Sequence, residues 1–371
     1  WAILILVLVF PSRLEIAAAV WGILAFGDGT ATLAGRILGR RSLPWNRKKT
    51  WIGSLAFCGF GTVASSLLLS WTAPGVPLPF ALGVCGATSL LAAAVESLPH
   101  GLDDNLGVPL VSGLFLSCLL WTRGRWVEHL SSPGMEEGLF WATGLIALLS
   151  VSAYGIRSVD ASGAAGGFSV ATTAWIGLGW EGFLVLGTFF ALGTLFTRVG
   201  HRAKQARGIA QERDGRRTLR HVLSNGGVGT AAALFAATTE LSAPFRLAFV
   251  GSLAAAMADT AASEIGKLSS RNPVLLTTAR RVPPGTRGAI SPLGTAAAIL
   301  SSLVVAAMAA VTGILSWAAI IPVVVAALLA TTTESLIGPV LEESGLVDSH
   351  GLNFLNSVTG ALLAVVLGSP S

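Results

Sequence analysis

The sequence predicts an all-α, polytopic integral membrane bundle of about 12–13 transmembrane helices in two related halves. Three observations lead there. The 371 residues are 53% hydrophobic and 12% charged, with a mean hydropathy of +0.72, whereas a soluble domain carries about 25% charged residues. Apolar stretches of about 17–25 residues, long enough to cross a bilayer, recur along the whole chain. One polar constellation occurs twice, once in each half. The 44 glycines suit helices that pack closely in lipid, and no short period points to a fibrous chain.

Taken in order, the apolar run Trp1–Phe10 is too short to cross and reads as the tail of a cut helix. A signal peptide would need a basic start, and the first residue is Trp1, so the chain is expected to be a fragment or renumbered from a precursor. Spans are predicted at 14–35, 51–71, 78–98, 105–121, 138–156, 166–180, 181–197, 222–240, 246–266, 293–315, 317–336 and 351–369. Lys and Arg concentrate in three loops, Arg36–Lys49, Arg198–Arg220 and Lys267–Arg287. Six predicted crossings separate the first two loops and two separate the last two, so all three fall on one face. The positive-inside rule makes that face cytoplasmic. The less basic turn Arg123–Glu137 falls on the opposite face. Halves are expected to divide at the polar turn Thr122–Gly138, giving domains 1–130 and 131–371.

Cys58, Cys85 and Cys118 lie in apolar segments without CxxC spacing and read as small core residues. The five histidines form no metal-binding pattern.

The repeated constellation carries the chemistry. Residues 258–292 read ADTAASEIGKLSSRNPVLLTTARRVPPGTRGAISP: Asp259 and Glu264 end an apolar run, and Lys267, Arg271, Arg280, Arg281 and Arg287 follow. Residues 26–54, FGDGTATLAGRILGRRSLPWNRKKTWIGS, repeat the arrangement with Asp28, Lys48, Lys49, Gly53 and Ser54. Gly285, Gly288 and Ser291 stand where Gly53 and Ser54 stand in the first half. Each half then supplies an ES pair, Glu96-Ser97 or Glu334-Ser335, and an Asn-bearing segment with Asp104 and Asn105 or Asn353 and Asn356. Such matches come easily in a Gly/Ser/Ala-rich chain, but order, spacing and sidedness all agree. Ionisable groups at membrane depth are costly and mark function by default.

Carboxylates and Asn beside a Lys/Arg loop suit phosphoryl transfer. The cations hold phosphates, and the carboxylates carry Mg²⁺, a hard ion that takes oxygen ligands. A carboxylate can also accept a proton from a hydroxyl nucleophile. Glycines let backbone N–H groups approach phosphate oxygens. No P-loop and no protein-kinase catalytic loop is present. The plainer alternatives are a topological role for Arg198–Arg220, a helix cap at Asp28, and a surface ion pair of Glu264 with Lys267. Other function classes compatible with these features are a lipid transporter or flippase and a CDP-lipid-forming cytidylyltransferase.

At Gly27–Phe57 (GDGTATLAGRILGRRSLPWNRKKTWIGSLAF) and Val95–Leu110 (VESLPHGLDDNLGVPL), the sequence resembles the phytol kinase branch of the dolichol kinase-like lipid kinases. Dolichol kinases and cytidylyltransferases usually place a Glu before the Gly of the Lys-rich turn; Ile52 stands there, which fits the phytol kinase branch. The resemblance covers about the last half of such an enzyme. Residues 138–371 resemble the DUF92 or TMEM19-like family, which includes the phytyl-phosphate kinase, through FFALGTLFTRVGHRAKQARG, GRRTLRHVLSNGG, ADTAASEIGKLS, TTARRVPPGTRGAISPLG, ESLIG and LNFLNSVTGA. Its motifs fall on Lys204, Arg217, Asn225, Asp259, Ser263, Glu264, Gly285, Thr286, Gly288, Glu334, Asn353 and Asn356.

Together these resemblances imply a bifunctional membrane kinase using CTP or another nucleoside triphosphate. It would phosphorylate an isoprenoid alcohol such as phytol, then its monophosphate to the diphosphate. Asp28, Glu96, Asp104 and Asn105 would serve the first site with Mg²⁺, and Lys48, Lys49 and Gly53 would bind its nucleotide phosphates. Asp259, Glu264, Glu334, Asn353 and Asn356 would serve the second. Lys204, Arg217, Asn225, Lys267, Arg280, Arg281, Gly285, Thr286 and Arg287 would be its phosphate ligands. Asp28, Asp104, Asp259 and Glu334 are the expected metal ligands. The expected setting is a bacterial inner membrane or its equivalent, with active sites on the cytoplasmic face and no nucleic-acid partner.

Overall fold

The structure, a computed structural model, describes residues 2–39, 41–43, 46–97, 104–209, 215–270, 272–345 and 347–369. It is an integral membrane helical protein. The chain forms two compact units, Trp1–Arg123 and Gly124–Ser371. The first holds α1 (Ala2–Val9), α2 (Leu14–Gly22), α3 (Gly29–Leu38), α4 (Trp51–Thr72), α5 (Leu78–Ser97) and α6 (Asp104–Trp121). After the bent segment α7 (Arg123–Leu130) come α8 (Met135–Gly155), α9 (Ala161–Arg198), α10 (His201–Ala206), α11 (Leu219–Thr238), α12 (Ser242–Gly266), α13 (Pro292–Val311), α14 (Ile320–Glu343) and α15 (Ser349–Gly368). Three two-residue strands, β1 (Val274–Leu275), β2 (Arg280–Arg281) and β3 (Ala289–Ile290), pair antiparallel in the order β2-β1-β3 and tie the third basic loop into a compact lobe.

Among the described residues, nine helices are long and apolar enough to cross a membrane, or ten if α6 and α7 make one span bent by 61°. This is fewer than the 12–13 predicted, and two segments account for most of the gap. The helix α11 forms where a span was expected, but it is not among those apolar enough to qualify. The other segment is α9, which counts as one helix of 38 residues. It is nonetheless folded back on itself. Gly163 and Gly193 both abut Arg217, although 30 residues of straight helix would separate them by about 45 Å. The reversal occurs at Leu178 (φ −130°, ψ 17°) and Gly179 (φ 63°, ψ −156°). The second of these lies in backbone space that only glycine occupies readily. The two arms match the predicted pair 166–180 and 181–197, and each is near the ~17-residue minimum for a crossing.

Small residues set how tightly unit 2 packs. Its core surrounds α12, where Phe249, Leu253, Met257 and the alanines 254–256 and 258 are buried. A Cβ on Gly251 would lie 2.6 Å from the Gly360 carbonyl oxygen on α15, and one on Gly360 would lie 2.8 Å from the Gly251 oxygen. Any side chain there would push the helices apart. Outward-facing residues such as Trp141, Leu148, Leu300, Ile321 and Val366 are exposed and apolar, as a bilayer requires.

Four helix starts share one rule. Thr50, Asp160, Ser291 and Asp348 each cap a helix by accepting from the N–H of a glycine three residues on, at 2.8–3.2 Å. Such a cap stabilises by about 1 kcal/mol. Glycine at that third position permits a close helix crossing, which the two units share. In unit 1, a Cβ on Gly53 would lie 3.1 Å from Ala31 O and 3.7 Å from Gly35 Cα. In unit 2, one on Gly294 would lie 2.7 Å from Ala262 O and 3.3 Å from Gly266 Cα. Asp28 precedes Gly35 by the same seven positions by which Asp259 precedes Gly266. The structure thus pairs Thr50 and Gly53 with Ser291 and Gly294. This corrects the expected equivalence of Gly53-Ser54 with Gly285, Gly288 and Ser291: the loop glycines at 285 and 288 lie before the cap.

Candidate functional site

The site in unit 2 is built at the loop-bearing ends of α12, α14 and α15. Its hub is the carbonyl of Ala255, which accepts from Asn356 Nδ2 at 3.1 Å and from Thr331 Oγ1 at 3.5 Å. One helical turn toward the loops from these three residues stand Asp259, Glu334 and Asn353. Asp259 and Glu334 are half-buried and close enough to feel each other's charge; Glu342 adds to the field at Glu334. Glu334 Oε2 and Asn356 Oδ1 are buried oxygens without a hydrogen-bond partner. Unpartnered buried acceptors of this kind call for an explanation such as an ion or water.

Cations surround the cluster. Glu264, 1% exposed, accepts from Lys204 Nζ at 2.6 Å on one oxygen and from Lys267 Nζ at 2.8 Å on the other. Lys267 caps the end of α12 and lies within electrostatic reach of Asp259. Lys204 is also 1% exposed and gives a second bond to Phe196 O at 3.0 Å. Its place is therefore inside a buried ion pair rather than on an open phosphate-binding surface, and Glu264 holds two lysines rather than a proton to be moved.

The loop after α12 closes over the end of α14. Gly285 (φ 92°) and Gly288 (φ 72°) take left-handed conformations. A Cβ on Gly288 would lie 2.7 Å from Ser335 O and 2.6 Å from Pro339 Cγ, so the loop backbone rests directly on the turn after Glu334. Arg287 pairs with Glu342. Arg280 and Arg281 are exposed on β2, Thr286 Oγ1 donates to Pro283 O at 2.8 Å, and Ser263 is exposed on α12. Arg271 lies outside the described residues.

Arg217 and Asn225 sit to one side, at the start of α11. The Arg217 guanidinium packs over the rings of Phe189 and Phe190, 5.8 Å from each centroid. Burial pulls its pKa down to about 10, opposed by the charge of Glu264, so it stays cationic at neutral pH. Asn225 Nδ2 donates to His221 O at 2.9 Å. The structure adds a feature no spacing pattern disclosed: the rings of His221 and His350 meet edge to face at 4.5 Å. The D-x6-G-[RK] and [ST]-x-x-G spacings common to both units were visible in the sequence and would have aligned the repeat correctly.

In unit 1, Asp28 stands exposed at the end of a π-helical turn, Ile23–Asp28, that joins α2 to α3. Glu96 is buried and ion-paired with Lys49. Asn46 Nδ2 donates to Ser97 O at 3.1 Å, docking the Lys-rich turn on the end of α5. Lys48 is exposed and Gly53 is buried at the helix crossing. The side chains of Asp104 and Asn105 lie outside the described residues, as do residues 98–103.

Among the described residues, no three His, Cys, Asp or Glu side chains converge as a metal cage. Mg²⁺ does not need one, since one or two carboxylates plus substrate phosphates commonly hold it. In unit 2, Asp259 and Glu334 with the unpartnered oxygen of Asn356 fit that donor chemistry.

Comparison with known proteins agrees with this architecture. Over 196 residues the chain is 36% identical to an uncharacterized membrane protein of Synechocystis sp., covering 52% of this chain and 75% of that protein. It is 34% identical over 218 residues to the chloroplastic protein VTE6 of Arabidopsis thaliana, covering 58% of this chain and 64% of that one. It is 37% identical over 118 residues to a probable chloroplastic phytol kinase of Triticum aestivum, covering 30% of this chain and 39% of the kinase. No solved structure matches the chain. Residues 144–363, more than half of the chain, match the profile of the family described as integral membrane protein DUF92, and the chain belongs to that family.

Proposed function

We propose that the chain is an isoprenoid salvage kinase of the membrane. In this reading unit 2 converts an isoprenyl monophosphate to the diphosphate, and unit 1 phosphorylates the isoprenoid alcohol, each with CTP or another nucleoside triphosphate. The observation that carries it is the cluster of Asp259, Glu334 and Asn356 under a basic loop. Buried oxygens without partners suit Mg²⁺, and the adjoining cations suit phosphates. Similarity to proteins named phytol kinase supports the isoprenoid alcohol. The resemblance of residues 138–371 to the family that includes the phytyl-phosphate kinase supports the second step.

The two nucleophiles explain the difference between the sites. A monophosphate oxygen is already ionised near neutral pH, its second pKa being about 6. Transfer to it requires charge neutralisation and in-line positioning more than a base. Asp259 and Glu334 would hold Mg²⁺, which neutralises phosphate oxygens when bound. Lys267, Arg280, Arg281 and Arg287 would take the nucleotide phosphates, with Arg287 leaving Glu342 to do so. Glu264 keeps Lys267 in place. A hydroxyl nucleophile must lose a proton, so unit 1 needs a carboxylate acceptor, the role proposed for Asp28. Glu96 would position Lys49.

Product analysis tests the reading. Purified full chain in detergent is given labelled phytol or phytyl monophosphate, CTP and Mg²⁺. Release of CDP with one phosphate added to the lipid is expected. Release of pyrophosphate with a CDP-lipid would instead identify a cytidylyltransferase.

A further inference from the structure

A cleft that the cation cluster does not occupy opens beside it in unit 2. It lies between α8, both arms of the α9 hairpin and the start of α11, and it holds about 810 Å³ of space between atoms, counting its mouth. Val170, Ala171, Phe183, Leu186 and Phe189 make its walls apolar. Arg217 and His221 line one end of it. From Gly163, which abuts Arg217, the wall continues along α9 to Ala171, about 12 Å of helix rise into the bundle. α8 and α9 are both candidate membrane spans, so the cleft runs from a half-buried cation into the apolar layer.

We infer that this cleft binds the hydrocarbon chain of the isoprenyl monophosphate, with Arg217 holding the phosphate at its mouth. The inference rests on the kinase reading above and assigns its lipid site. Charge complementarity selects the occupant. Among the described residues that line it, Arg217 is the one Lys or Arg, and a cation at the end of an apolar channel matches an amphiphile with an anionic head and a hydrocarbon tail. Arg217 lies within electrostatic reach of Glu264, the carboxylate that Lys204 and Lys267 share. The rings of Phe189 and Phe190 pack against the guanidinium through their π faces, a contact that uses none of its N–H donors.

Two glycines open onto the cleft from opposite arms of α9. Gly167 on the first arm of α9 and Gly187 on the second line the cleft, and a Cβ on either would meet nothing within 4 Å. Larger side chains can therefore enter the cleft without displacing backbone. Replacing either residue fills the channel from an independent wall.

The test uses Gly187→Phe and, separately, Gly167→Phe in the full chain, with geranyl, farnesyl and geranylgeranyl monophosphates as substrates. Each variant is expected to lower kcat/KM for the C20 substrate at least tenfold, and by more than for the C10 substrate, because Gly167 and Gly187 lie about 6 and 9 Å of helix rise from the glycines that abut Arg217. Equal effects on C10 and C20, or none, in variants with unchanged thermal unfolding would overturn the inference. A binding arm separates this from failure of the kinase reading. A C20 monophosphate carrying a tail diazirine is photolysed with wild-type and variant protein. Labelling of α8 and α9 that is lost in Gly187→Phe supports the tail site even where wild type transfers no phosphate. Labelling elsewhere, or labelling that excess phospholipid abolishes but excess C20 monophosphate does not, would contradict it.

Discussion

Lys204 donates to Glu264 at 2.6 Å with both side chains 1% exposed, across 60 positions of sequence. The pair ties the short helix α10 to the end of α12, and Lys267 shares the same carboxylate at 2.8 Å. Removing one partner of a buried pair strands the other charge, at a cost of about 3–5 kcal/mol. Glu264→Gln strands Lys204 and is expected to lower unfolding stability by roughly that amount, whereas Lys204→Met leaves Glu264 paired with Lys267 and is expected to cost less. The double variant Lys204→Met/Glu264→Gln is expected to recover much of the loss. Denaturant unfolding in detergent measures all three, and additivity of the two single losses would contradict the pairing.

Glu334 shows the opposite balance. Its Oε2 has no partner and Asp259 lies nearby, so two carboxylates face each other in a half-buried site. Glu334→Gln removes one of them. Without Mg²⁺, the variant is expected to unfold at a higher temperature than wild type. Its conversion of monophosphate to diphosphate is expected to fall by at least about 10²-fold, an effect of the size seen when a positioned electrostatic group is lost. A variant that is active and no more stable would place Glu334 outside the site. Functional sites often trade stability in this way.

The shared helix crossing makes a matched prediction. Gly53→Val and Gly294→Val put a branched side chain where a Cβ already meets a carbonyl oxygen at 3.1 Å and 2.7 Å respectively. Each is expected to destabilise by about 1–3 kcal/mol, the usual cost of overpacking. The shorter approach at Gly294 makes its loss the greater. Thermal unfolding of the two variants checks both the sign and the order.

Gly179→Ala tests the hairpin. At φ 63° and ψ −156° an alanine is strained by about 1–3 kcal/mol. The variant is expected to lose that much stability. A cysteine pair at positions 164 and 190, one on each arm, is expected to cross-link through a short bifunctional reagent, since both line one cleft. Failure to cross-link would mean that α9 runs straight.

Much of the architecture was legible because lipid imposes simple rules. Charge belongs in loops, apolar runs of set length cross, and the basic loops of unit 2 fall at one end with Glu334 and Asn353. The hairpin was also legible, because Gly179 and Gly182 interrupt a run too long for a single crossing. Other features were not. The repeat was seen, but its register was misread because Gly285 and Gly288 imitate the Gly-Ser motif that Gly294 carries structurally. Lys204 looked like a phosphate ligand because nothing in its local sequence reveals burial against Glu264 on another helix. The meeting of His221 with His350 depends on packing across 129 positions and has no local signature.

The central claim is that Asp259 serves a second phosphoryl transfer distinct from the first. The direct measurement is the fate of labelled phytol and labelled phytyl monophosphate, each with CTP and Mg²⁺, on wild-type chain and on Asp259→Asn. The account predicts that Asp259→Asn loses diphosphate formation by at least about 10²-fold, while the alcohol is still converted to monophosphate at the wild-type rate. Undiminished diphosphate formation by Asp259→Asn would contradict it.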